Sequence, residues 1–309
     1  MAKLERPDAG LIGALERARI HPLWDRYQRI TPMAPKAVDE PMHWRWRDIE
    51  PFTERAAKEV GIEDVERRAL ILANPAFGGA TITTQNLIGA FTVLEPGDKA
   101  VPHRHTAAAI RFATRAEGAV TIVNGRKCEM HEGDLVLTPP MCWHGHINEG
   151  KRRTVWFDAA NMPAICNLDA SFFEPGKRQD ERFWDVGTEG SGEYRFPWQD
   201  AVRGLAPADD GSLTYRYSKD GGSVMPTLDL FLKRITKTKE ARSTCSAVCL
   251  VVSGEGRSKI GDQRFEWSQH DVFTIPHWTW ASHEGSGDLF VVTDRAIYER
   301  LELLREEIR

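Results

Sequence analysis

The sequence predicts an all-β protein that contains two copies of one small β-domain. From Ala69 onward, short apolar or alternating runs such as AVTIV and DLVLT are separated by turn sequences such as EPGD, VNGR and HEGD. This texture is typical of short strands joined by tight turns, and therefore of a sandwich or a barrel. A second strand-rich block covers residues 225–293, and 309 residues are enough for two domains of about 150 residues each.

An internal repeat supports the two-copy prediction. Residues 117–146 (EGAVTIVNGRKCEMHEGDLVLTPPMCWHGH) align with residues 255–283 (EGRSKIGDQRFEWSQHDVFTIPHWTWASH) after one deletion. The matched positions are Glu117 and Gly118 with Glu255 and Gly256, Asp134 with Asp271, Pro139 with Pro276, and Trp143 with Trp280. Two copies of one domain explain the length of the chain.

Four segments follow from this repeat. Residues 1–68 are punctuated by proline and contain helix-like patches, which predicts a partly helical amino-terminal arm. Residues 69–164 form the first β-domain, and residues 165–224, rich in Gly, Asp and Ser, are expected to be a long surface linker. Residues 225–309 form the second β-domain and end in a predicted amphipathic helix, whose apolar face consists of Ile297, Leu301, Leu304 and Ile308.

The composition excludes several function classes. The net charge of −4 shows no basic excess, so nucleic acid is not an expected partner. No run of apolar residues is long enough to cross a membrane, and the first residues lack the apolar core of a signal peptide. Five cysteines without a C-x-x-C pair indicate neither a disulfide framework nor a thiolate zinc site. We therefore expect a cytoplasmic protein that binds no membrane.

The first copy carries two motifs that bring histidines together. Gly97 is followed after five residues by the H-x-H pair of His103 and His105, and Gly133 is followed after five residues by Pro139 and then by His144. These spacings resemble the two signature motifs of the cupin superfamily, with a methionine at the usual glycine of the second motif.

The motif spacing predicts a metal site. Alternate side chains on a strand share one face, so His103 and His105 both project into the barrel, and His144 can supply a third nitrogen from a later strand. Three neutral imidazoles leave half of an octahedron open, which suits iron(II) acting with oxygen and a chelating substrate, although zinc also fits this geometry. The usual cupin glutamate would fall at Ala109 or Ile110, neither of which can ligate, so the metal is left more attractive to an anionic substrate.

Longer stretches narrow the resemblance to one family. ERRALILANP (66–75), HRHTAAAIRF (103–112), TPPMCWHGHIN (138–148) and VWFDAANMP (155–163) resemble the gentisate 1,2-dioxygenase family, which includes salicylate and 1-hydroxy-2-naphthoate dioxygenases. PLWDRY and HWRWRD fit that family's amino-terminal arm, so the likeness covers nearly the whole chain. It implies a bicupin made of two double-stranded β-helix (jelly-roll) barrels, non-haem Fe(II), and assembly as a homo-oligomer, a tetramer in this family.

The resemblance also implies a substrate site. By this resemblance the iron ligands are His103, His105 and His144, and Arg111 corresponds to an arginine that contacts the substrate. Arg111 has the strand parity of the ligands, and a buried guanidinium suits a carboxylate. Arg67 or Arg68 matches a second substrate-anchoring arginine, and the register leaves open which of the two it is.

Three further residues are assigned by the resemblance. His146 and Asp158 match a polar pair near the substrate hydroxyls and are predicted to move protons. Thr92 stands where the family has glutamine in a G-x-Q sequence, so its shorter side chain changes how the ring substituents are recognised.

The second copy lacks the ligands. The alignment places Ala241, Ser243 and Ala281 at the three ligand positions, while His277 and His283 lie elsewhere and are expected to be structural. The second copy is therefore predicted to be a scaffold without metal.

The predicted activity is ring cleavage of a 2-hydroxybenzoate between the carboxyl-bearing and hydroxyl-bearing carbons, most simply gentisate and O2 giving maleylpyruvate. The close alternative is another salicylate, such as a 5-substituted salicylate or 1-hydroxy-2-naphthoate. Two further classes stay open: a cupin metal-dependent isomerase or decarboxylase, and a sensor that binds an aromatic acid.

Overall fold

The computed structural model describes residues 9–24, 26–186 and 191–309, and the chain divides into two compact units. The first unit, Met1–Lys36, contains helices α1 (Ala9–Arg17) and α2 (Tyr27–Ile30) among its described residues. The second unit, Ala37–Arg309, contains every described strand. No helix in the described part of the chain is long and apolar enough to span a membrane.

The second unit begins with a short strand, β1 (His43–Trp44), and a helix, α3 (Trp46–Glu59). Residues spaced three or four apart give α3 one buried face, which consists of Trp46, Ile49, Thr53 and Ala57. The helix packs beside the first strands of the barrel that follows. The amino-terminal arm is therefore partly helical, as predicted.

The first barrel is built from short antiparallel strands separated by tight turns, as the sequence texture predicts. In chain order these strands are β2 (Arg68–Ile71), β3 (Ile88–Leu94), β4 (His103–His105), β5 (Ala109–Arg115), β6 (Ala119–Val123), β7 (Arg126–Glu129), β8 (Leu135–Thr138), β9 (His144–Asn148) and β10 (Thr154–Ala160). One sheet has the order β8-β5-β10-β3-β2 and the other has the order β4-β9-β6-β7. The H-x-H strand β4 thus lies beside β9, which brings the third histidine.

The segment predicted as a linker contains short helices and strands, and its strands add to the sheets of both barrels. They are α4 (Met162–Asn167), β11 (Phe173–Pro175), α5 (Glu181–Trp184), α6 (Ser191–Tyr194), β12 (Arg195–Phe196), α7 (Trp198–Arg203), β13 (Ala206–Pro207) and β14 (Leu213–Arg216). Strand β11 extends the sheet of β4 and β12 extends the sheet of β8, whereas β13 and β14 join the second barrel. The segment therefore covers sheet edges, which a purely flexible linker does not do.

The second barrel repeats this arrangement with longer strands. They are β15 (Asp229–Lys237), β16 (Ala241–Ser243), β17 (Ala247–Ile260), β18 (Gln263–Ser268), β19 (Val272–Ile275) and β20 (Ala281–Thr293), followed by α8 (Arg295–Arg300) and β21 (Glu306–Ile308). One buried core connects the two barrels, and in it Phe112 stacks on Phe290 with ring centroids 4.2 Å apart. The protein is a bicupin, as predicted.

The predicted closing helix is shorter than the apolar spacing indicates. Helix α8 ends at Arg300, and Leu301 and Ile308 are exposed rather than packed on one face. The last residues form β21, which pairs with the edge strand β16, because the free hydrogen-bonding groups of that edge are satisfied by a strand and not by a helix. Strand β11 covers β4 in the first barrel in the same register, with Glu174 opposite Arg104 just as Glu307 lies opposite Arg242.

Candidate metal centre

Three buried histidines of the first barrel meet on two adjacent strands. His103 and His105 point to the same side of β4, and His144 on β9 lies directly opposite His103. Their candidate ligand nitrogens all lie within 4.8 Å of one another. The histidine cluster predicted from the motif spacing is therefore present.

Backbone hydrogen bonds select the tautomer of all three rings. The Nδ1 atoms of His103, His105 and His144 lie 2.8, 2.9 and 2.9 Å from the carbonyl oxygens of Val101, Ala107 and Cys142, respectively. A carbonyl only accepts, so each Nδ1 carries the proton and each Nε2 keeps a free lone pair. Since Nε2 of His144 is buried without a hydrogen-bond partner, a metal ion bound there would satisfy it.

Burial keeps these imidazoles neutral. Removal from water, together with the positive charge of Arg67, lowers the pKa of His103 to about 3. Burial and the charge of Arg111 lower the pKa of His105 to about 4 and bring that of His144 well below its usual value. At neutral pH all three rings are therefore in the form that binds a metal.

We expect the metal-free protein to lose stability as the pH falls from about 6.5 to about 4. In the unfolded chain the histidines become protonated near pH 6.5. In the folded chain His103 and His105 stay neutral until the pH approaches their lowered pKa values, about 3 and about 4. More protons on the unfolded state means that the free energy of unfolding decreases as the pH decreases in this window. Urea denaturation of the metal-free protein at pH 7.5 and pH 5 measures this loss. The His103→Ala variant should show a smaller loss, and an equal loss in both proteins would contradict the assignment.

Within the described parts of the chain, no carboxylate completes the cluster. Ala109 and Ile110, where the sequence lacks the usual glutamate, are buried and cannot ligate. Glu66 lies 3.0 Å from Nδ1 of His103, on the side of the ring that faces away from a metal held by Nε2. The site therefore offers three neutral nitrogens, a donor set that fits a divalent transition metal with positions left open for other ligands.

Arg111 brings a positive charge into the same barrel. It is 1% exposed, and burial lowers the pKa of its guanidinium to about 10, so it stays charged at neutral pH. Nη1 donates to the hydroxyl of Thr138, and Nε lies 3.3 Å from Oδ1 of Asp158 without a hydrogen bond. A buried guanidinium with unused donors is costly unless an anion meets it.

Asp158 and Thr92 form a small network with this arginine. Asp158 lies opposite Arg111 on the neighbouring strand, and the Thr92 hydroxyl donates to its Oδ2. Thr92 is fully buried, and its hydroxyl is directed at the carboxylate. The structure thus places Asp158 next to Arg111 and Thr92 next to Asp158.

The two candidate arginines at the start of the first barrel have different surroundings. Arg68 is held by an ion pair with Asp98 and donates from Nε to the carbonyl of Val60 at 2.6 Å. Arg67 acts electrostatically on His103, and its Nη1 is buried without a hydrogen-bond partner. Arg67 Nη1 lies 3.8 Å from Oε1 of Glu66, too far for a hydrogen bond, so Arg67 keeps a buried donor whereas Arg68 is engaged by Asp98 and Val60.

His146 lies next to the cluster but outside it. Its ring centroid is 5.9 Å from that of His144, and its Nδ1 lies 2.9 Å from the hydroxyl of Thr121. Nε2 is buried without a partner, and burial lowers the pKa of the ring well below its usual value. His146 thus has one nitrogen, Nε2, without a hydrogen-bond partner and available to a ligand bound beside the histidine cluster.

The structure adds residues that the sequence did not single out. Thr138 accepts a hydrogen bond from Arg111, and the ring of Phe173 stacks on that of His103 at 5.4 Å. Thr121 could have been found from the repeat, because Ser258 keeps a hydroxyl at the equivalent position and also lies within hydrogen-bond distance of a histidine Nδ1, that of His283. Phe173 gave no signal, since it lies in the predicted linker.

The second barrel confirms the loss of the ligands. Ala241 lies opposite Ala281, just as His103 lies opposite His144. The backbone nitrogen of Met141 bonds the carbonyl of His105 at 2.7 Å, and that of Trp278 bonds Ser243 at the same distance. Both Met141 and Trp278 adopt a positive φ, of 61° and 53° respectively, at the turn where the motif usually has glycine. The turn is therefore kept in the second copy while the ligand side chains are absent.

Comparisons with known proteins agree with this architecture. The cupin domain family model matches residues 90–160. A gentisate 1,2-dioxygenase of Aquipseudomonas alcaligenes is 30% identical, and the match covers 94% of each chain. A 5-aminosalicylate 1,2-dioxygenase of Comamonas sp. is 32% identical over 95% of this chain and 88% of that protein.

A solved structure resembles the whole chain. The salicylate 1,2-dioxygenase of Pseudoaminobacter salicylatoxidans, solved as an adduct with gentisate, has a TM-score of 0.90 at 28% identity, covering 100% of this chain and 97% of that chain. With full-length relatives at 30% identity or more and a bicupin fold with a buried three-histidine site, this chain belongs to the gentisate 1,2-dioxygenase family of bicupins, which includes salicylate and 1-hydroxy-2-naphthoate dioxygenases.

Proposed function

We propose that the protein is a non-haem Fe(II) dioxygenase that opens the ring of a 2-hydroxybenzoate between its carboxyl-bearing and hydroxyl-bearing carbons. The observation that carries this proposal is the buried set of three neutral imidazoles in the same barrel as Arg111, whose charged guanidinium has a donor without a hydrogen-bond partner. Relatives that act on gentisate and on 5-aminosalicylate support the substrate class. Gentisate and O2 giving maleylpyruvate is the simplest reaction, in which both oxygen atoms enter the product.

His103, His105 and His144 would hold the metal through Nε2. Bound iron(II) would supply the redox chemistry that lets dioxygen react with an aromatic ring. The remaining work belongs to the side chains of the protein, which bind, orient and protonate the substrate.

Two arginines bind the substrate carboxylate in this proposal. Arg111 has unused donors in a buried position, and Arg67 has a buried, unpartnered Nη1. Each arginine has one carboxylate nearby, Asp158 and Glu66, but a substrate carboxylate held between them would fill donors that these residues leave without a hydrogen bond. Asp158 and Thr92 then orient Arg111 and limit the space around the ring substituents.

His146 and Asp158 are the proposed proton carriers. The Thr121 hydroxyl donates to Sδ of Met130 at 3.5 Å, so it accepts from Nδ1 of His146, and the unpartnered Nε2 can take a proton from a ring hydroxyl. Asp158 lies opposite Arg111, the arginine proposed to hold the carboxylate, and can take up a proton from the substrate and give it back as the ring opens.

Oxygen consumption tests the proposed reaction. Protein purified anaerobically and loaded with iron(II) should consume one O2 per substrate with at least one of gentisate, salicylate, 5-aminosalicylate and 1-hydroxy-2-naphthoate. A cupin isomerase or decarboxylase would turn over without oxygen, and an aromatic-acid sensor would bind without turnover. Either result would overturn the dioxygenase proposal, and the panel identifies the preferred ring.

Substitution of Arg67 and of Arg68 should give opposite results. We expect Arg67→Met to raise KM for the carboxylated substrate by about tenfold, the effect of losing about 1.4 kcal/mol of binding. Arg68→Met should leave KM unchanged and lower the unfolding midpoint, because it breaks the ion pair with Asp98. Steady-state oxygen uptake and thermal unfolding of both variants measure the two effects. An increase in KM for Arg68→Met alone would assign the anchor to the other arginine.

Assembly as a homotetramer and a cytoplasmic location, which the family resemblance and the composition predict, stay predictions. Size-exclusion chromatography with light scattering measures the oligomeric state directly.

A further inference from the structure

The second barrel keeps more of the first barrel's interior than its missing ligands suggest. His283 lies opposite Ser258, in the register that places His146 opposite Thr121. Lys233 lies opposite Leu289, as Thr92 lies opposite Trp156. The vacated metal position is therefore surrounded by polar side chains at positions that face the cavity in the first barrel.

These side chains line a cavity of about 570 Å³. This volume is in the range of small-molecule sites, which is about 300–1,000 Å³. Its walls combine small residues at the former ligand positions, apolar residues and hydrogen-bond donors: Ala241, Ser243, Ala281, Phe231, Ile275, Val291, Lys233 and His283. The loss of three imidazoles has thus left space rather than a filled core.

A hydrogen-bond chain fixes the tautomer of His283. Nε1 of Trp267 donates to the Ser258 hydroxyl at 3.0 Å, so that hydroxyl has its own proton to donate to Nδ1 of His283, 2.7 Å away. Burial lowers the pKa of His283 to about 4, which keeps the ring neutral at pH 7. A neutral ring that accepts at Nδ1 carries its proton at Nε2, so this nitrogen is a donor.

Lys233 supplies the charge. Nζ lies 2.5 Å from Oδ2 of Asp210, its only hydrogen-bond partner among the described residues, and an ammonium has three donors. Of the other cations of the wall, Arg216 pairs with Asp229, Arg242 with Glu307 and Arg295 with Glu306, and Lys239 is exposed. Lys233 is therefore a half-buried cation of this cavity that keeps donors beyond its ion pair with Asp210.

We propose that the cavity of the second barrel binds a small aromatic monocarboxylate, with its carboxylate on Lys233 Nζ and His283 Nε2 and its ring between Phe231, Ile275 and Val291. Two donors line this one cavity, an ammonium with a single hydrogen-bond partner among the described residues and a neutral imidazole, and together they suit an oxyanion. The apolar part of the wall suits a ring of benzoate size. Among the described residues this cavity holds no three-ligand metal cluster, and the proposal is one of binding alone. It does not depend on the ring-cleavage proposal, because none of its residues belongs to the first barrel.

The test is 19F NMR and equilibrium dialysis of the full-length, iron(II)-loaded protein with 4-fluorobenzoate under argon. A probe beside iron(II) in the first barrel is broadened by the paramagnetic ion, whereas a probe in the second barrel is expected to give a narrower bound signal. We expect that narrow signal in the wild type. Lys233→Met should weaken its binding at least tenfold without changing oxygen uptake by the first barrel.

Two further variants keep the test decisive. Lys127 also pairs with a carboxylate, that of Glu149 at 2.8 Å, but it lies outside the cavity. The Lys127→Met variant should therefore still show the narrow bound signal. Ala281→Leu fills the vacated ligand position and should remove the signal while the unfolding midpoint stays near that of the wild type. Absence of a narrow signal in the wild type, or its persistence in both Lys233→Met and Ala281→Leu, would overturn the proposal. Because the readout is binding and not turnover, failure of ring cleavage would leave this result interpretable.

Discussion

Replacing His105 with alanine is expected to abolish metal binding and, with it, oxygen consumption. His103 and His144, on the neighbouring strands β4 and β9, would then be the two remaining protein ligands of a divalent metal. Loss of residues that only orient a ligand costs about 10- to 100-fold in metal affinity, so loss of a ligand itself should cost more. Metal content per chain after dialysis, measured by mass spectrometry, and oxygen uptake at saturating substrate check both parts of this expectation.

The matched control is His283→Ala in the second barrel. This histidine is held at Nδ1 by the Ser258 hydroxyl, as His105 is held by a carbonyl, but alanine and serine occupy the surrounding ligand positions. Metal content should stay at the wild-type level in this variant. Full occupancy in His105→Ala, or loss of metal in His283→Ala, would place the metal in the other barrel.

The metal site was predictable because it depends on local rules. Alternation along a strand puts His103 and His105 on one face whatever surrounds them, and the turn before His144 fixes where the third ring enters. The repeat then identified the missing ligands, since one offset carries the H-x-H pair onto Ala241 and Ser243. The strand pairing confirms that alignment residue by residue.

What the sequence could not resolve depends on contacts between distant segments. Arg67 and Arg68 are neighbours of one type, and only the position of Asp98 after the next strand decides that Arg68 is consumed in an ion pair. The closing helix was overestimated for a related reason. Apolar spacing predicts a helix from local sequence, but the edge of β16 competes for residues 306–308.

The same competition explains the strands within the segment that the sequence predicts as a linker. Residues 173–175 show no strand pattern, yet they pair with the H-x-H strand and bring Phe173 onto His103. Edge pairing of this kind requires only backbone groups, which every residue except proline offers in full, so side-chain patterns do not reveal it. The edge strands β4 and β16 each need a partner for their backbone groups, and this need, unlike side-chain periodicity, indicates the strands β11 and β21.

Arg111→Ala is expected to lower kcat/KM for the carboxylated substrate by about 10²-fold or more, chiefly through KM. Removing one partner of a buried charged contact costs about 2–5 kcal/mol, part of which comes from the group left behind. Here that group is Asp158, which lies 3.3 Å from the guanidinium and would add its own repulsion toward a substrate carboxylate. The two contributions act in the same direction, so the loss should exceed that of Arg67→Met.

Two comparisons separate substrate binding from a purely structural role. Arg115→Ala removes an arginine from the same strand, but one that is exposed and paired with Glu50, and it should change kcat/KM less than about twofold, the scale of a surface ion pair. Competitive inhibition by benzoate and by phenol then isolates the carboxylate. If Arg111 binds this group, Arg111→Ala weakens inhibition by benzoate and leaves inhibition by phenol nearly unchanged, because phenol has no charge to lose. Equal weakening of both would mean that Arg111 acts by holding Asp158 and the barrel wall in place, and the anion would then have to be held by Arg67 and the metal alone.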